Sequence, residues 1–502
     1  MNPARFASSS AAAALALAAG LAFAQPAPPA PAPKSPAPKA PAPKAPAAKS
    51  PAPKTPTTPT GAPIEFGATP YVFESIGLRV RLPVDSVYEA TSMGDRTSLI
   101  IAPADRAWSI SVDTPRTSRP ETTEKDAADA ALSDARASVG TISADGKLLD
   151  TKAKTISRDE NLTYAGRPAE RFYVLLPDPA GKNGAVKGYT ALKASPERFV
   201  VLELRTTEPK LAEARAVYEA VLSKLEFVDA TDVATSRAVA VQAGTKLFAS
   251  LSTDRYESVF KDNSERWERL FRPARDGGEE QEIAYRRIRA SLGQRGALDP
   301  KKRPADYTAT ERQEGYVVRI DARVLQGGVT IDSESIFFLS KDKADEAWTV
   351  RIAARQGQQT SITTQTGARS GTSMNVDTVG SGQANTNATP KIPEEGYLSN
   401  VEAFLLPQFL AAAGAPSDYG FYVWQPAAAK VRLRRDAMEL DPDNARRWKI
   451  ITRRTEDDAP ETTILTREGK LVRTTLPDGS TWEPTTLSEL QKIWRNKKLP
   501  MQ

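Results

Sequence analysis

The sequence predicts an α+β fold in two domains, each an antiparallel sheet packed by helices, behind a disordered tether rich in Pro, Ala and Lys. Three observations predict it. Short runs with period-2 apolar alternation recur along the chain, capping boxes mark helix starts among them, and proline stands at nearly every second position between residues 26 and 63. With 502 residues there is room for about three structural units at roughly 150 residues each.

Residues 1–24 read as a secretory signal peptide. Arg5 precedes an apolar run from Ala11 to Ala24 that ends in Ala22-Phe23-Ala24, a small-x-small cleavage pattern. The run is short of the roughly 20 residues that a spanning helix needs, so no transmembrane segment is expected after cleavage and the expected location is periplasmic or secreted. Residues 25–63 follow as a linker in which PAPKSPAPKAPAPKAPAAKSPAPKT, residues 31–55, repeats one five-residue phrase. Proline removes backbone donors and fixes φ, which favours solvated polyproline II over helix or sheet. Lys34, Lys39, Lys44, Lys49 and Lys54 then step about 240° around that helix and form no stripe, so the segment is read as a spacer.

The net charge of +6 invites a nucleic-acid reading, but Arg5 and those five lysines supply all of it. Residues 64–502 hold as many acids as bases, and no specific nucleic-acid partner is expected. The chain has no Cys and no His. Disulfides, thiolate zinc sites, cysteine nucleophiles, imidazole triads and HExxH metal sites are thereby excluded, and no cofactor or metal is expected.

The first folded unit is expected over residues 64–230. Leu78, Val80 and Leu82 alternate with Arg79 and Arg81, and Trp108, Ile110 and Val112 alternate with Ser109 and Ser111, both strand signatures. Ser118-Arg119-Pro120-Glu121 reads as a capping box that opens a helix with Ala128, Leu132, Ala135 and Val139 along one stripe and Gly140 to close it. Strands AERFYVLLP, GYTALKA and RFVVLELR come next, then a second helix carrying Leu211, Ala214, Tyr218, Val221, Leu222 and Leu225. This layout, with the F-x-S-x-G-L-x-V-x-L-P opening at Phe73 to Pro83 and the Tyr164-to-Ala169 turn YAGRPA, resembles the PsbP family of lumenal photosystem II subunits and their exported bacterial relatives. The resemblance implies a binding or assembly module and transfers no catalytic residue.

The second unit is expected over residues 231–502. It opens with a helix at Ala240, Ala243, Leu247, Phe248 and Leu251, followed by an Arg- and Glu-rich stretch from Glu265 to Arg303. YVVRIDARV pairs through a Gly327-Gly328 turn with TIDSESIFFLS, and AWTVRIA extends the meander. Residues 356–393 are rich in Ser, Thr, Gly, Asn and Gln and are expected as a flexible insert. A short helix around Phe404, Leu405 and Phe409 precedes strands YGFYVWQ, KVRLRR, WKIITRR, TTILT, KLVRTT and STWEP, and Thr486-Leu487-Ser488-Glu489 caps a last helix bearing Leu490, Ile493 and Trp494. In layout this half resembles the curved sheet of LolA-type carriers, which implies a concavity that Trp424, Trp448 and Trp482 would line.

One constellation stands out as a docking candidate. Lys430, Arg432 and Arg434 share a strand face, with Arg446, Arg447 and Lys449 close by in sequence, and together they read as a patch for an anionic partner such as a cell-wall polymer or an envelope protein. Ser340-Lys341-Asp342-Lys343 fits S-x-x-K but lacks the K-T-G element of the serine acyl-transferases, and Asp441-Pro442-Asp443-Asn444 lacks the Gly and Glu of a calcium loop. The sequence therefore reads as a non-enzymatic binding or assembly protein of the bacterial cell envelope. A carboxylate-dependent hydrolase of extracellular polymers and a carrier of lipid or apolar ligands are the competing readings.

Overall fold

The computed structural model describes residues 64–500 apart from 69, 94–95, 140, 143–147, 151–152, 178–183, 263, 275–277 and 381–384. The expected signal peptide and tether lie outside the described residues. The chain divides between Val228 and Asp229 into two compact bodies. Strand makes up 50% of the chain and helix 23%, so the class is mainly β and the α+β expectation is corrected.

The first body holds a seven-stranded antiparallel sheet. Its strands are β3 (Ser86–Met93), β4 (Arg96–Pro103), β5 (Trp108–Asp113), β8 (Lys154–Tyr164), β9 (Arg167–Leu176), β10 (Ala185–Ser195) and β11 (Arg198–Thr207), in the order β3-β4-β5-β11-β10-β9-β8. Smaller pairings join β1 (Tyr71–Phe73), β2 (Leu78–Val80) and β12 (Glu226–Phe227), and β6 (Thr141–Ile142) with β7 (Leu148–Asp150). Helix α1 (Glu124–Ala137) starts five residues later than the expected box, because Thr123 and Asp126 form the reciprocal cap instead. Its Ala128, Leu132 and Ala135 pack on Phe172, Val174 and Leu176. Helix α2 (Leu211–Ser223) inserts Tyr218, whose hydroxyl hydrogen-bonds to Thr190 Oγ1 and Leu202 O at 2.8 Å each.

The second body is one 14-stranded antiparallel sheet. After α3 (Ala230–Ser250) and α4 (Thr253–Asp262) come β13 (Arg266–Arg272), β14 (Gln281–Gln294), β15 (Glu314–Gln326), β16 (Val329–Ser340), β17 (Asp345–Gln356), β18 (Gln359–Ser370), β19 (Ser373–Gly380) and β20 (Thr386–Ala388). Helix α5 (Asn400–Ala413) separates these from β21 (Ser417–Gln425), β22 (Lys430–Asp441), β23 (Asn444–Arg453), β24 (Glu461–Thr466), β25 (Leu471–Thr475) and β26 (Thr481–Thr485), and α6 (Leu487–Asn496) ends the body. The meander runs β20 through β13, then crosses to β26 and back to β21.

This sheet is rolled around α5. That helix is buried on two sides: Val401, Leu405 and Phe409 join one cluster with β13 to β17 and β19, and Leu406 and Leu410 join another with β21 to β24. Strand β21 is buried on both faces, with Phe421 against the α5 cluster and Trp424 reaching Gln365 of β18. Its outer edge is sealed by a short parallel bridge from residues 396–398, where Leu398 N–H donates to Tyr422 O and Tyr422 N–H to Gly396 O. On the opposite face of the sheet α6 lays Trp494 edge-on to Tyr285, 4.8 Å between centroids.

Two segments account for the corrected class. Residues 356–393, expected as a flexible insert, supply β18, β19 and β20, with Gly357 and Gly371 turning the hairpins at positive φ. The stretch from Glu265 to Arg303 supplies β13 and β14, whose charges pair across strands as Arg287 with Glu265 and Arg269 with Glu282. No helix among the described residues is long and apolar enough to cross a membrane.

Candidate functional site

Inside the roll, between α5 and the strands on either side, lies a cavity of about 130 Å³. One wall is β13 and β14. Alternation along Arg266, Trp267, Glu268, Arg269 and Leu270 turns Arg266, Glu268 and Leu270 inward, and the register sets Glu268 directly opposite Arg286. The Glu268 carboxylate is fully buried and divided between two guanidiniums: Arg266 Nε donates to it at 2.8 Å and Arg286 Nε at 2.7 Å. Burial alone would raise the Glu268 carboxyl, but Arg286 and Arg266 outweigh it and hold the group below the usual glutamate range. Burial, the larger influence on Arg286, depresses its guanidinium despite Glu268, and the like charges of Arg266 and Arg454 add to that.

The facing wall comes from β22 to β25. Arg454 donates to Glu461 through Nη2 at 3.0 Å, and that carboxylate raises Arg454 above the ordinary arginine range. The Arg454 side chain keeps 36% of its surface accessible, so it forms the wetter rim of the hollow. The apolar lining comes chiefly from Phe337, Phe404, Trp424, Leu476 and Trp482, and the Arg286 guanidinium lies over the Trp482 ring at 4.1 Å. On α5, Gln408 lines the cavity, is buried, and its Oε1 has no hydrogen-bond partner among the described residues.

Arg434 has a structural task at this site. Pro407 sits inside α5, where its missing N–H leaves the carbonyl four residues back unserved. That carbonyl belongs to Ala403, and Arg434 Nη1 donates to it at 2.9 Å while Nε and Nη2 clamp the buried Asp436 at 2.8 Å each. Thr452 completes Asp436 with a 2.6 Å hydrogen bond.

The six residues expected as a surface patch do not share a surface. Arg434 faces the cavity, and Arg432 lies half-buried near Asp457 and Asp458, with burial depressing its guanidinium. Lys430 is exposed at the start of β22, Arg446 is exposed near the start of β23, and Arg447 and Lys449 alternate with the buried Trp448 and Ile450, with Lys449 paired to Glu439 at 2.8 Å. The face that these β22 residues share is the inner one, because Asp436 and Met438 beside them are buried. In the Ser340 motif, the hydroxyl donates to Asp342 at 2.5 Å, whereas Lys343 turns to Glu402 at 3.3 Å and lies over the Tyr256 ring. The Asp441 segment is the β22–β23 turn.

Two further hollows carry less converging chemistry. One of about 410 Å³ lies beside the α5 N-terminus, where Glu346 accepts from Asn400 N–H at 2.6 Å and from Tyr397 at 3.1 Å, and burial raises its carboxyl. The other, about 550 Å³, lies on the outer face of β13 to β18. Ion pairs occupy much of its wall, Arg319 with Asp321 and Glu334, and Arg355 with Asp332.

No family model matches this chain and no curated protein does. Among solved structures it is similar to a β-barrel-like protein of the domain of unknown function DUF1849 from Brucella abortus, at 13% identity over 44% of this chain and 94% of that one, with a TM-score of 0.30. It is also similar to a Pseudomonas aeruginosa protein of unknown function, PA94, at 14% identity over 29% of this chain and 88% of that one, with a TM-score of 0.20. Neither description names a ligand or a reaction.

Proposed function

We propose that this chain is a non-catalytic binding protein of the bacterial cell envelope, and that the rolled sheet of its second body is the part that binds. One observation carries the reading: the acids in the central cavity are already engaged by arginines, with Glu268 between Arg266 and Arg286 and Glu461 on Arg454. Hydrolysis by a carboxylate pair needs one carboxyl that holds a proton near neutral pH and a second that is open to substrate or water. Glu268 meets neither need, being held ionised and fully buried. A hollow with aromatic walls and a few convergent polar groups suits recognition. The envelope assignment rests on the N-terminal leader pattern and the Pro/Ala/Lys tether.

The test is binding without conversion. The purified chain is mixed with a small-molecule extract of cell envelopes and followed by ligand-observed NMR, with the same mixture quantified again after a day. The expected result is saturation transfer to a few compounds whose concentrations stay constant. Loss of any compound that depends on the chain, or transfer to none, would overturn the proposal.

A further inference from the structure

We infer that the outer face of the rolled sheet, around the hollow of about 550 Å³, is a second binding site, built for a linear polysaccharide whose sugars carry carboxylates. It is separate from the cavity inside the roll and does not depend on what that cavity binds.

Strand register gathers the charges on one face. On β14, Arg287 and Arg289 alternate with the inward Arg286 and Ile288; on β15, Arg319, Asp321 and Arg323 alternate with Ile320 and Ala322; on β17, Arg351 and Arg355 share the side opposite Val350 and Ile352. Between them β16 contributes Asp332 and Glu334. Asp321 is shared by Arg289 and Arg319, Asp332 by Arg323 and Arg355, while Glu334 pairs with Arg319 and Glu265 with Arg287. Six guanidiniums thus meet four carboxylates, and the exposed Arg351 has no ion-pair partner among the described residues. The border adds to the excess, since α6 and the turn after it expose Lys492, Arg495 and Lys498 against the single acid Glu489, which already caps the helix. Four strands and four outward rows make this face roughly 14 by 20 Å, so the positive charge is spread along a surface rather than gathered at a point. A ligand that repeats its negative charge along its length matches that distribution.

The carboxylates among the arginines decide which polyanion fits. An acidic peptide brings side chains that, once ionised, only accept hydrogen bonds, and Asp321, Asp332 and Glu334 would repel it. Sugar hydroxyls donate as well as accept, and an ionised carboxylate has about four acceptor positions. Glu334 has Arg319 as its one ion-pair partner among the described residues and keeps 33% of its side chain accessible, so it is open to a hydroxyl. The wall also carries apolar ground: Trp267 is half-buried, and Ile362 and the exposed Leu487 stand at its edges, surfaces that suit the C–H faces of a pyranose ring. The volume falls in the range of about 300–1,000 Å³ typical of ligand clefts.

The experiment uses the full chain with polygalacturonate as probe, its fully methyl-esterified form as the neutral counterpart and poly-L-glutamate as a polyanion without hydroxyls. Binding is read by calorimetry at low and at high salt. The expected result is saturable polygalacturonate binding that weakens as salt rises, binding of either comparison polymer at least tenfold weaker, a tenfold or greater loss in Arg351→Gln/Arg355→Gln, and no change in the control Arg446→Ala on β23. Asp332 keeps Arg323 when Arg355 is lost, and a thermal melt checks that the double variant is folded. Arg351→Glu alone, at an exposed position without an ion pair among the described residues, gives the same readout if it is not. Equal binding of the esterified polymer would overturn the charge argument, and equal binding of poly-L-glutamate would overturn the choice of a polysaccharide and assign the face to an acidic protein. Absence of polygalacturonate binding, or binding that survives both variants in full, would overturn the inference, whereas the reading of the inner cavity falls only with the extract experiment.

Discussion

Glu268→Gln removes one charge from a buried ion cluster of the second body and keeps the side chain's shape. Its carboxylate is 0% exposed and receives Arg266 at 2.8 Å and Arg286 at 2.7 Å. Loss of a buried ionic partner typically costs about 3–5 kcal/mol, because the remaining charge is left in a poorly solvating place. Here two guanidiniums are left together, so the upper part of that range is expected. For a body of this size each kcal/mol is worth roughly 2–4 °C, so about 4–5 kcal/mol gives a fall in melting temperature of about 8–20 °C. Urea unfolding followed by tryptophan fluorescence is well suited, since six of the seven tryptophans lie after residue 228. The pH dependence supplies an independent check. A carboxyl held below its ordinary value contributes stability that is full above that value and is lost as pH falls through the depressed one. The gap between wild type and variant should therefore be complete at pH 7 and shrink below about 4.5. A loss under about 1 kcal/mol, the level of an exposed pair, or a gap that acid leaves unchanged, would refute the account of a buried, shared carboxylate.

Three other outcomes follow from the packing. Pro407→Ala returns an N–H to the Ala403 carbonyl, so Arg434→Met should cost about 1.5–3 kcal/mol less in that background than in the wild type; additivity within about 0.5 kcal/mol would refute the link. Tyr218→Phe leaves the Leu202 carbonyl and the Thr190 hydroxyl without their partner in the first body and should cost about 1–3 kcal/mol, seen as faster hydrogen exchange in β10 and β11; unchanged exchange would count against it. Gly367→Ala would drive a methyl into the buried Trp348 indole across β17 and β18, with an expected cost of about 1–3 kcal/mol and a shifted fluorescence maximum, and a wild-type spectrum and stability would show that the contact relaxes freely.

The sequence announced its helices more clearly than its sheet. Thr486 with Glu489 caps α6 where the pattern placed it, because a capping box is a local arrangement of four residues. The start of α1 was misplaced since Ser118 and Thr123 both open plausible boxes, and the reciprocal bond forms at the second. Strand β18 is illegible because Thr, Ser, Gln and Gly give it almost no apolar face and its ladder pairing to β17 makes it a strand, whereas β19 offers only the short inward pair Met374 and Val376 amid polar residues. The cavity was hidden for a related reason. Lys430, Arg432 and Arg434 alternate along β22, and charge suggests the wet side, but Lys430 stays exposed while the roll around α5 turns Arg434 inward. The Arg-Trp-Glu-Arg-Leu run at 266–270 carried the missing signal, since Arg266, Glu268 and Leu270 share a period-2 face on which an apolar residue follows two charges.

The seam of the roll governs how large the interior can become. A closed barrel has its radius fixed by strand number and shear, so widening it would break a continuous ladder. Here the sheet ends at β20 and β21, and the latter is fastened by two backbone hydrogen bonds of 2.9 and 2.8 Å to residues 396–398. Slippage at that clasp would let the whole scroll loosen by a small turn while its thirteen internal strand pairings stay intact. The clasp thus bears directly on the interior, since it holds the strand whose Val423, Trp424 and Gln425 line the cavity.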